Sequence, residues 1–106
     1  MEKTKIVGVT FDNRQNIITK INEMVDKLVP VREPNNPHDE NAINIYVHTH
    51  KGEKKSVGYI NRNLAAKLAP EIDQGKKLVI NDYFVTGSRA EGTILGIIIS
   101  YDLTEG

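Results

Sequence analysis

A long polar connection between two segments of alternating apolar and polar residues constrains the fold of this chain more than any other stretch. Val29 and Val31 precede it, and alternating apolar residues from Ala42 to Val47 follow it, so both flanks are typical of β-strands. Within the connection, Pro34 and Pro37 remove backbone donors and favour extended geometry at the residues before them. A turn between strands needs only about two to five residues. This connection, called the Pro/Asn loop below (residues 33–41), is therefore either a plain connection or a loop that binds something.

The rest of the chain predicts six strands and two helices. The predicted strands cover residues 5–11, 29–32, 42–48, 55–60, 78–86 and 93–102, and the predicted helices cover 17–28 and 61–68. Apolar spacings of one, three and four residues indicate the first helix, with Asp12 and Asn13 as candidate caps. Asn61 is the candidate cap of the second helix, and Pro70 lies just past its predicted end. The last strand is apolar on both faces, which is typical of a strand buried on both sides.

These patterns indicate one α+β, mostly β domain spanning residues 1–106. The chain has 106 residues, which leaves no room for a repeated βαβ winding and favours a small, mostly antiparallel barrel with helices packed outside. Its 14 basic and 14 acidic residues give zero formal charge. That balance argues against coating long nucleic acids, although a module that grips a strand end needs few phosphate contacts.

Several function classes find no support in the sequence. There is no cysteine, so neither disulfides nor thiol chemistry are expected. No signal peptide or apolar run of about 18 residues is present, so we expect a cytoplasmic protein without membrane association. Nucleophile motifs and phosphate-binding glycine loops are missing, and the sequence predicts neither an enzyme nor a cofactor.

Among the catalytic or cofactor sites that the sequence could contain, a metal site has the most support. His48 and His50 would share one strand face, and His38, Asp39 and Glu40 supply further candidate ligands. However, the two strand histidines lie at a lysine-rich hairpin end, and the loop carboxylates are expected to cap turns. We therefore predict no metal site and keep a metal-dependent hydrolase as the weakest alternative.

The order of residues in and around the Pro/Asn loop resembles the HIRAN domain family. The loop reads Arg-Glu-Pro-Asn-Asn-Pro-His-Asp-Glu-Asn-Ala-Ile from Arg32 to Ile43. Further matching runs are Gly8-Val9-Thr10-Phe11, Asn13-Arg14-Gln15, Val57-Gly58-Tyr59-Ile60, Leu64-Ala65 and Leu68-Ala69-Pro70. The resemblance runs from about Ile6 to Leu78 and implies a six-stranded antiparallel OB-like barrel with two packed helices.

The resemblance also implies a non-catalytic module that recognises the free 3′-hydroxyl end of single-stranded DNA. The family's DNA-contacting positions fall on Thr10, Phe11, His38, Asp39, Tyr59 and Arg62. By this resemblance Phe11 stacks on the terminal base and His38 continues the stack. Asp39 accepts a hydrogen bond from the 3′-hydroxyl, Tyr59 forms a wall of the site and Arg62 lies near a phosphate.

Purely structural explanations for the same residues remain open. Phe11 at a strand end is also expected of a core aromatic, and Asp39 is also expected to cap the turn before Asn41. Tyr59 would then be an exposed strand residue and Arg62 a solvated one. We expect four residues to hold the loop in shape: Arg32, Glu33, Asn36 and Asn41.

The sequence departs from the family pattern at three places. His38 stands where tyrosine is common, Thr10 where some eukaryotic members carry arginine, and Gly92 near the position of an additional aromatic.

The expected partners are a 3′ end of single-stranded DNA and a separate helicase or nuclease in DNA repair, with the protein a monomer or weak homodimer. The alternative function is an interaction or assembly module that dimerises through a β edge, for which the apolar last strand is the candidate.

Overall fold

The computed structural model describes residues 2–88 and 90–106, without the side chains of residues 24 and 26. This part of the chain folds into six strands and three helices, in the order β1 (Glu2–Lys5), α1 (Arg14–Thr19), α2 (Ile21–Met24), β2 (Val25–Arg32), β3 (Ile43–Thr49), β4 (Lys54–Tyr59), α3 (Arg62–Asp73), β5 (Lys77–Thr86) and β6 (Gly96–Thr104). None of the described helices combines the length and apolar character needed to cross a membrane. The α+β, mostly β class is confirmed.

The strands form two three-stranded antiparallel sheets. One sheet has the order β1-β6-β5 and the other β2-β3-β4. The segment after β1 joins them: the Ile6 amide donates to the Ile97 carbonyl at 2.9 Å, and Val7 exchanges two hydrogen bonds with Tyr59 at 2.8 and 2.9 Å. The chain thus passes from an edge of one sheet to the edge of the other, which gives the predicted barrel character along this side.

Gly58 lies where the two sheets meet. Its φ is 153°, and a Cβ there would lie 2.5 Å from both the Val7 carbonyl oxygen and Ile6 Cγ2. Only a residue without a side chain allows the two backbones to approach this closely.

Strand β6 is the centre of its sheet and of the core. Ile97 and Ile99 are fully buried and Tyr101 nearly so, as expected from its apolar sequence. The hypothesis of an assembly edge on this strand is wrong, because β6 pairs with β1 on one side and β5 on the other. The predicted start at residue 93 is also too early, since β6 begins at Gly96 and Ile94 is 65% exposed.

The first predicted helix and the first predicted strand are the two main errors in the secondary-structure prediction. The apolar residues Ile18 and Ile21 of the helix are buried as expected, but the helix divides into α1 and α2, and residues 25–28 belong to β2. The first predicted strand is misplaced, because β1 covers Glu2–Lys5 and shares only Lys5 with the predicted range 5–11, and residues 8–13 form turns. Helix α3 is longer than predicted and contains Pro70 rather than ending before it.

Candidate nucleic-acid interface

Arg32, the last residue of β2, ties the Pro/Asn loop to helix α3. Its Nε and Nη2 donate to the two Asp73 carboxylate oxygens, each at 3.1 Å, and its Nη1 donates to the Glu40 carbonyl at 2.6 Å. A planar guanidinium suits such a two-point contact with a carboxylate. One side chain therefore links the start of the loop, its far end and the last turn of α3.

Glu33 is the centre of a polar network beneath the loop. Its Oε1 accepts hydrogen bonds from Asn36 Nδ2 at 3.0 Å and the Tyr59 hydroxyl at 2.8 Å, and its Oε2 accepts from Asn44 Nδ2 at 3.0 Å. Burial alone would raise the pKa of Glu33, but these three hydrogen bonds and the charge of Arg14 outweigh it and lower the pKa. The carboxylate is therefore ionised at neutral pH.

Asn36 sets the path of the backbone at the tip of the loop. Its side-chain oxygen accepts hydrogen bonds from the backbone amides of His38 at 2.9 Å and Asp39 at 3.2 Å. Short amide side chains form such turns without any ladder partner. Because its amide nitrogen bonds Glu33, the positions of His38 and Asp39 depend on the network below them.

Asp39 both caps the loop and leaves an oxygen available. Its Oδ1 accepts the Asn41 backbone amide at 2.9 Å, and its carbonyl accepts the Ala42 amide at 3.1 Å. Within the described residues, no hydrogen bond reaches Oδ2. Asn41 contributes to the loop through its backbone amide. The capping explanation and a binding role for Asp39 are therefore compatible.

Four of the six predicted DNA-contacting residues surround one cavity. It has a volume of about 300 Å³ and is lined by Val7, Asn36, His38, Asp39, Ala42, Tyr59, Ile60 and Arg62. A neighbouring depression of about 480 Å³ shares His38, Asp39 and Arg62. We call the smaller cavity the end pocket. It lies between the Pro/Asn loop, the end of β4 and the start of α3.

The other two predicted residues, Thr10 and Phe11, lie on the turn over residues 8–13. They do not line the end pocket, although Val7, just before this turn, does. Phe11 is 66% exposed, so the expectation of a core aromatic is wrong. Strand β1 ends at Lys5, well before Phe11, so this residue lies on a turn and not at the end of a strand, where it was predicted.

Arg14 fixes this turn from below and was not singled out from the sequence. It is only 8% exposed. Its Nη1 donates to the Gly8 carbonyl at 2.7 Å and its Nη2 to Ser56 Oγ at 3.3 Å, while its guanidinium lies 5.5 Å from the centre of the Tyr59 ring. Ser56 in turn donates to Asn44 Oδ1 at 2.6 Å. The network of Glu33 therefore continues to the turn that carries Phe11.

Gln15 provides a second anchor for the turn. Its side-chain nitrogen donates to the carbonyls of Val9 at 2.9 Å and Leu95 at 2.8 Å, and its side-chain oxygen accepts the Leu95 amide at 2.9 Å. An exposed aromatic is thus carried on a turn that is held at both ends.

Comparison with known proteins agrees with this architecture. The HIRAN domain family model matches residues 3–95. The chain belongs to the HIRAN domain family. HIRAN domains are known as DNA-binding modules, so membership supports nucleic-acid binding by this chain.

A solved structure supports the HIRAN fold independently. A crystal structure of a protein from Lactobacillus plantarum aligns with a TM-score of 0.66 and 24% sequence identity, covering 98% of this chain and 93% of that one. No curated protein matches the chain.

Tyr59 is committed to the network of this HIRAN domain rather than free to ionise. Burial raises its pKa, as do the hydrogen bond to Glu33 and the charge of that carboxylate, while Arg14 opposes the shift. The phenol therefore keeps its proton and donates a hydrogen bond to Glu33. Its ring is left to act as a wall of the end pocket.

The remaining polar residues of this HIRAN domain show no metal-binding arrangement at the positions described. No three His, Asp or Glu side chains in residues 2–88 and 90–106 are grouped to hold a metal ion.

Three residues of the polar network were not predicted from the sequence, namely Arg14, Asn44 and Ser56, and only one weak signal pointed to them. Arg14 belongs to the Asn13-Arg14-Gln15 run that resembles the family, but no periodicity marks a polar residue for burial.

Proposed function

We propose that this HIRAN domain binds the free 3′-hydroxyl end of single-stranded DNA without catalysing a reaction. The observation that carries the proposal is the grouping of His38, Asp39, Tyr59 and Arg62 around the end pocket, with one Asp39 carboxylate oxygen free to accept a hydrogen bond. An exposed aromatic, Phe11, lies on the adjoining turn.

A carboxylate in a DNA site selects for a strand end. Phosphates are anionic, so Asp39 repels an internal nucleotide whose 3′ oxygen carries a phosphate. A terminal sugar instead offers a hydroxyl donor with no phosphate beyond it. Asp39 Oδ2 accepts that donor, while Oδ1 stays bonded to the loop backbone and keeps the carboxylate in place.

Flat side chains near the pocket accept any base. The exposed Phe11 ring stacks on a base near the strand end, and such stacking contributes about 1–3 kcal/mol per base with little sequence preference. The exposed His38 ring extends this surface beside Asp39.

Arg62 supplies the attraction for the backbone of the bound nucleotides. It is exposed at the first turn of α3 and lines the end pocket. With two or three phosphate contacts near the end, the logarithm of the affinity falls with the logarithm of salt concentration with a slope of about −2. A protein of zero net charge suits such a short contact. Cleavage or unwinding of the bound strand would then fall to a separate helicase or nuclease, as in DNA repair.

The direct test compares two chemical ends of one strand. We expect a 5′-labelled oligothymidylate with a 3′-hydroxyl to bind at least 10-fold more tightly than the same strand with a 3′-phosphate, measured by fluorescence anisotropy. Equal binding of the two strands, or binding of neither, would rule out end recognition.

Asp39→Asn is the informative variant, because asparagine keeps the oxygen that accepts the Asn41 amide but puts an amide nitrogen in place of Oδ2, which removes both the negative charge and the acceptor for the 3′-hydroxyl. We expect it to bind the 3′-phosphate strand more tightly and so to lose the discrimination. Glu40→Gln removes the same charge from the next residue, which lines only the neighbouring depression. If both variants relax the discrimination equally, selection comes from general repulsion and not from Asp39.

A further inference from the structure

A lysine-lined cavity lies at the opposite end of β4 from the end pocket. It has a volume of about 310 Å³ and is lined by Lys20, Glu23, Thr49, His50, Lys51, Glu53 and Lys55. We call it the lysine cleft. None of its three lysines forms an ion pair with a carboxylate in the part of the chain that is described. We infer that the lysine cleft binds backbone phosphates of the same DNA strand, several nucleotides from its 3′ end.

The position of the cleft matches a continuous path for the strand. Tyr59 in the end pocket and Lys55 in the cleft lie on the same strand, where they pair with Asn44 and Val47 of β3, a separation of roughly 10 Å at about 3.3 Å per residue. The register shift between them turns the two side chains to opposite faces, so a DNA strand joining the two sites passes around β4, which is the edge strand of its sheet. Helix α1 packs against β4 between them: Arg14 at its start bonds Ser56, and Lys20 follows its last residue. The exposed Phe11 precedes this helix on the side of the end pocket.

The cleft is an ordered feature and not a flexible hairpin end. The backbones of Thr49 and Glu53 pair at 2.9 Å, the Thr49 side chain accepts the Glu53 amide at 3.0 Å, and Gly52 closes the turn by donating to the Thr49 carbonyl at 2.9 Å. Lys51 lies within this closed turn. Its amine, like that of Lys55, is therefore presented from a fixed backbone.

The lysines of the cleft favour a phosphate ligand, and a DNA strand held in the end pocket would bring its phosphates close to them. The whole chain has no net charge, so attraction for DNA must come from local groups of lysines. Glu23 and Glu53 border the cleft and weaken its attraction for free DNA. A strand already held by its end is presented to the lysines at high effective concentration, which compensates for a weak individual contact.

This inference rests on the proposed function and predicts a dependence on strand length. A 3′-hydroxyl oligothymidylate of about four nucleotides, which has three phosphates, reaches only the end pocket, whereas one of about ten also reaches the cleft. Three additional phosphate contacts change the salt slope by about 2. We expect slopes of about −2 for the short strand and about −4 for the long one.

The variant that tests the cleft replaces its three lysines, Lys20, Lys51 and Lys55, by glutamine. We expect it to bring the long-strand slope back to about −2, without changing short-strand binding or the ratio of 3′-hydroxyl to 3′-phosphate affinity. The control replaces Lys3, Lys5 and Lys77, which are exposed on the other sheet, and should leave the long-strand slope unchanged.

Each outcome separates the two sites. The cleft is refuted if wild-type slopes do not depend on strand length, or if the two triple variants reduce the long-strand slope equally. If length and cleft lysines matter but the two chemical ends bind equally, the cleft stands and end recognition fails. If no strand binds, both are overturned.

Discussion

Glu33 has a position that only an ionised carboxylate fills well. Three donors, Asn36, Asn44 and Tyr59, converge on its two oxygens. A carboxylate accepts at both oxygens, whereas a glutamine must turn a donor toward one of these donors. A neutral side chain of the same shape therefore leaves part of the network unsatisfied.

We predict that Glu33→Gln lowers the free energy of unfolding at pH 7 by about 1–3 kcal/mol, the usual cost of an unsatisfied buried polar group. The pKa of Glu33 is lowered in the folded protein from its ordinary value of 4.5. Its stabilising contribution is therefore present above pH 4.5 and is lost as the pH falls through the lowered pKa. Urea unfolding at pH 7 and at about pH 3 should show the difference between wild type and variant shrinking.

Glu40→Gln is the control for this pH dependence. Glu40 is an exposed carboxylate of the same loop, and its side chain takes no part in the Glu33 network. A constant deficit for Glu33→Gln across this pH range would contradict the role of its charge.

Arg14 supports the turn that carries Phe11, and this support gives a second prediction. Arg14→Met keeps an apolar stem but removes the donors to Gly8 and Ser56, and should cost about 1–3 kcal/mol of stability. Because the Arg14 charge lowers the pKa of Tyr59, the variant should also raise that pKa, which an ultraviolet titration of the tyrosines measures. Arg62→Met, at an exposed position, should weaken DNA binding with little effect on stability. A Tyr59 pKa that does not move in Arg14→Met would contradict the contact.

At the scale of elements, helix α3 depends on a cap that was correctly predicted. The Asn61 side-chain oxygen accepts the Leu64 amide at 2.9 Å, and its nitrogen donates to Thr4 in β1 at 3.2 Å. We predict that Asn61→Ala lowers the free energy of unfolding by about 1 kcal/mol, the usual cost of a lost cap. Asn63→Ala, an exposed change inside the helix, should not lower it, because alanine is the better helix former. Equal urea midpoints for the two variants would argue against the cap.

The error in the first helix shows where periodicity stops being informative. Ile17 through Leu28 repeats at helical spacing, yet Val25 pairs with Thr49 and Leu28 with Val47 in the ladder of β2 and β3. A continued helix would have left the edge of β3 without these partners. Long-range pairing outweighs local helix preference, and no short window of sequence contains that information.

In the predicted site too, the sequence indicated the features set by local contacts and missed those set by long-range contacts. The Pro/Asn loop was identified because its shape comes from local residues such as Asn36, whose bonds reach only two or three positions. Arg14 could not be assigned a role in this way. Its partner Ser56 is 42 positions away, and neither residue type signals burial by itself.

At the scale of the whole molecule, the number of strands and their antiparallel pairing followed from the sequence. The division into two sheets did not, because it depends on which edges meet in space. The meeting point is Gly58, where β4 and the segment after β1 pass within a distance that no side chain allows.

We predict that Gly58→Ala destabilises the protein by at least about 3 kcal/mol, because the new Cβ clashes with the Val7 backbone carbonyl as well as with the buried Ile6 side chain. Gly52→Ala is the matched control. It also has a positive φ, 84°, but nothing lies within 4 Å of its added Cβ, so only about 1 kcal/mol of backbone strain is expected. Similar losses for the two variants in urea unfolding would contradict a tight junction at Gly58.

The pairing of β1 with β6 has a consequence for when this protein becomes functional during its synthesis. The turn bearing Phe11 is anchored by Gln15 to Leu95, and Ile6 is bonded to Ile97. A nascent chain still on the ribosome without its final strand therefore lacks the surface that fixes that turn. We expect DNA binding to begin only after translation has passed this last segment.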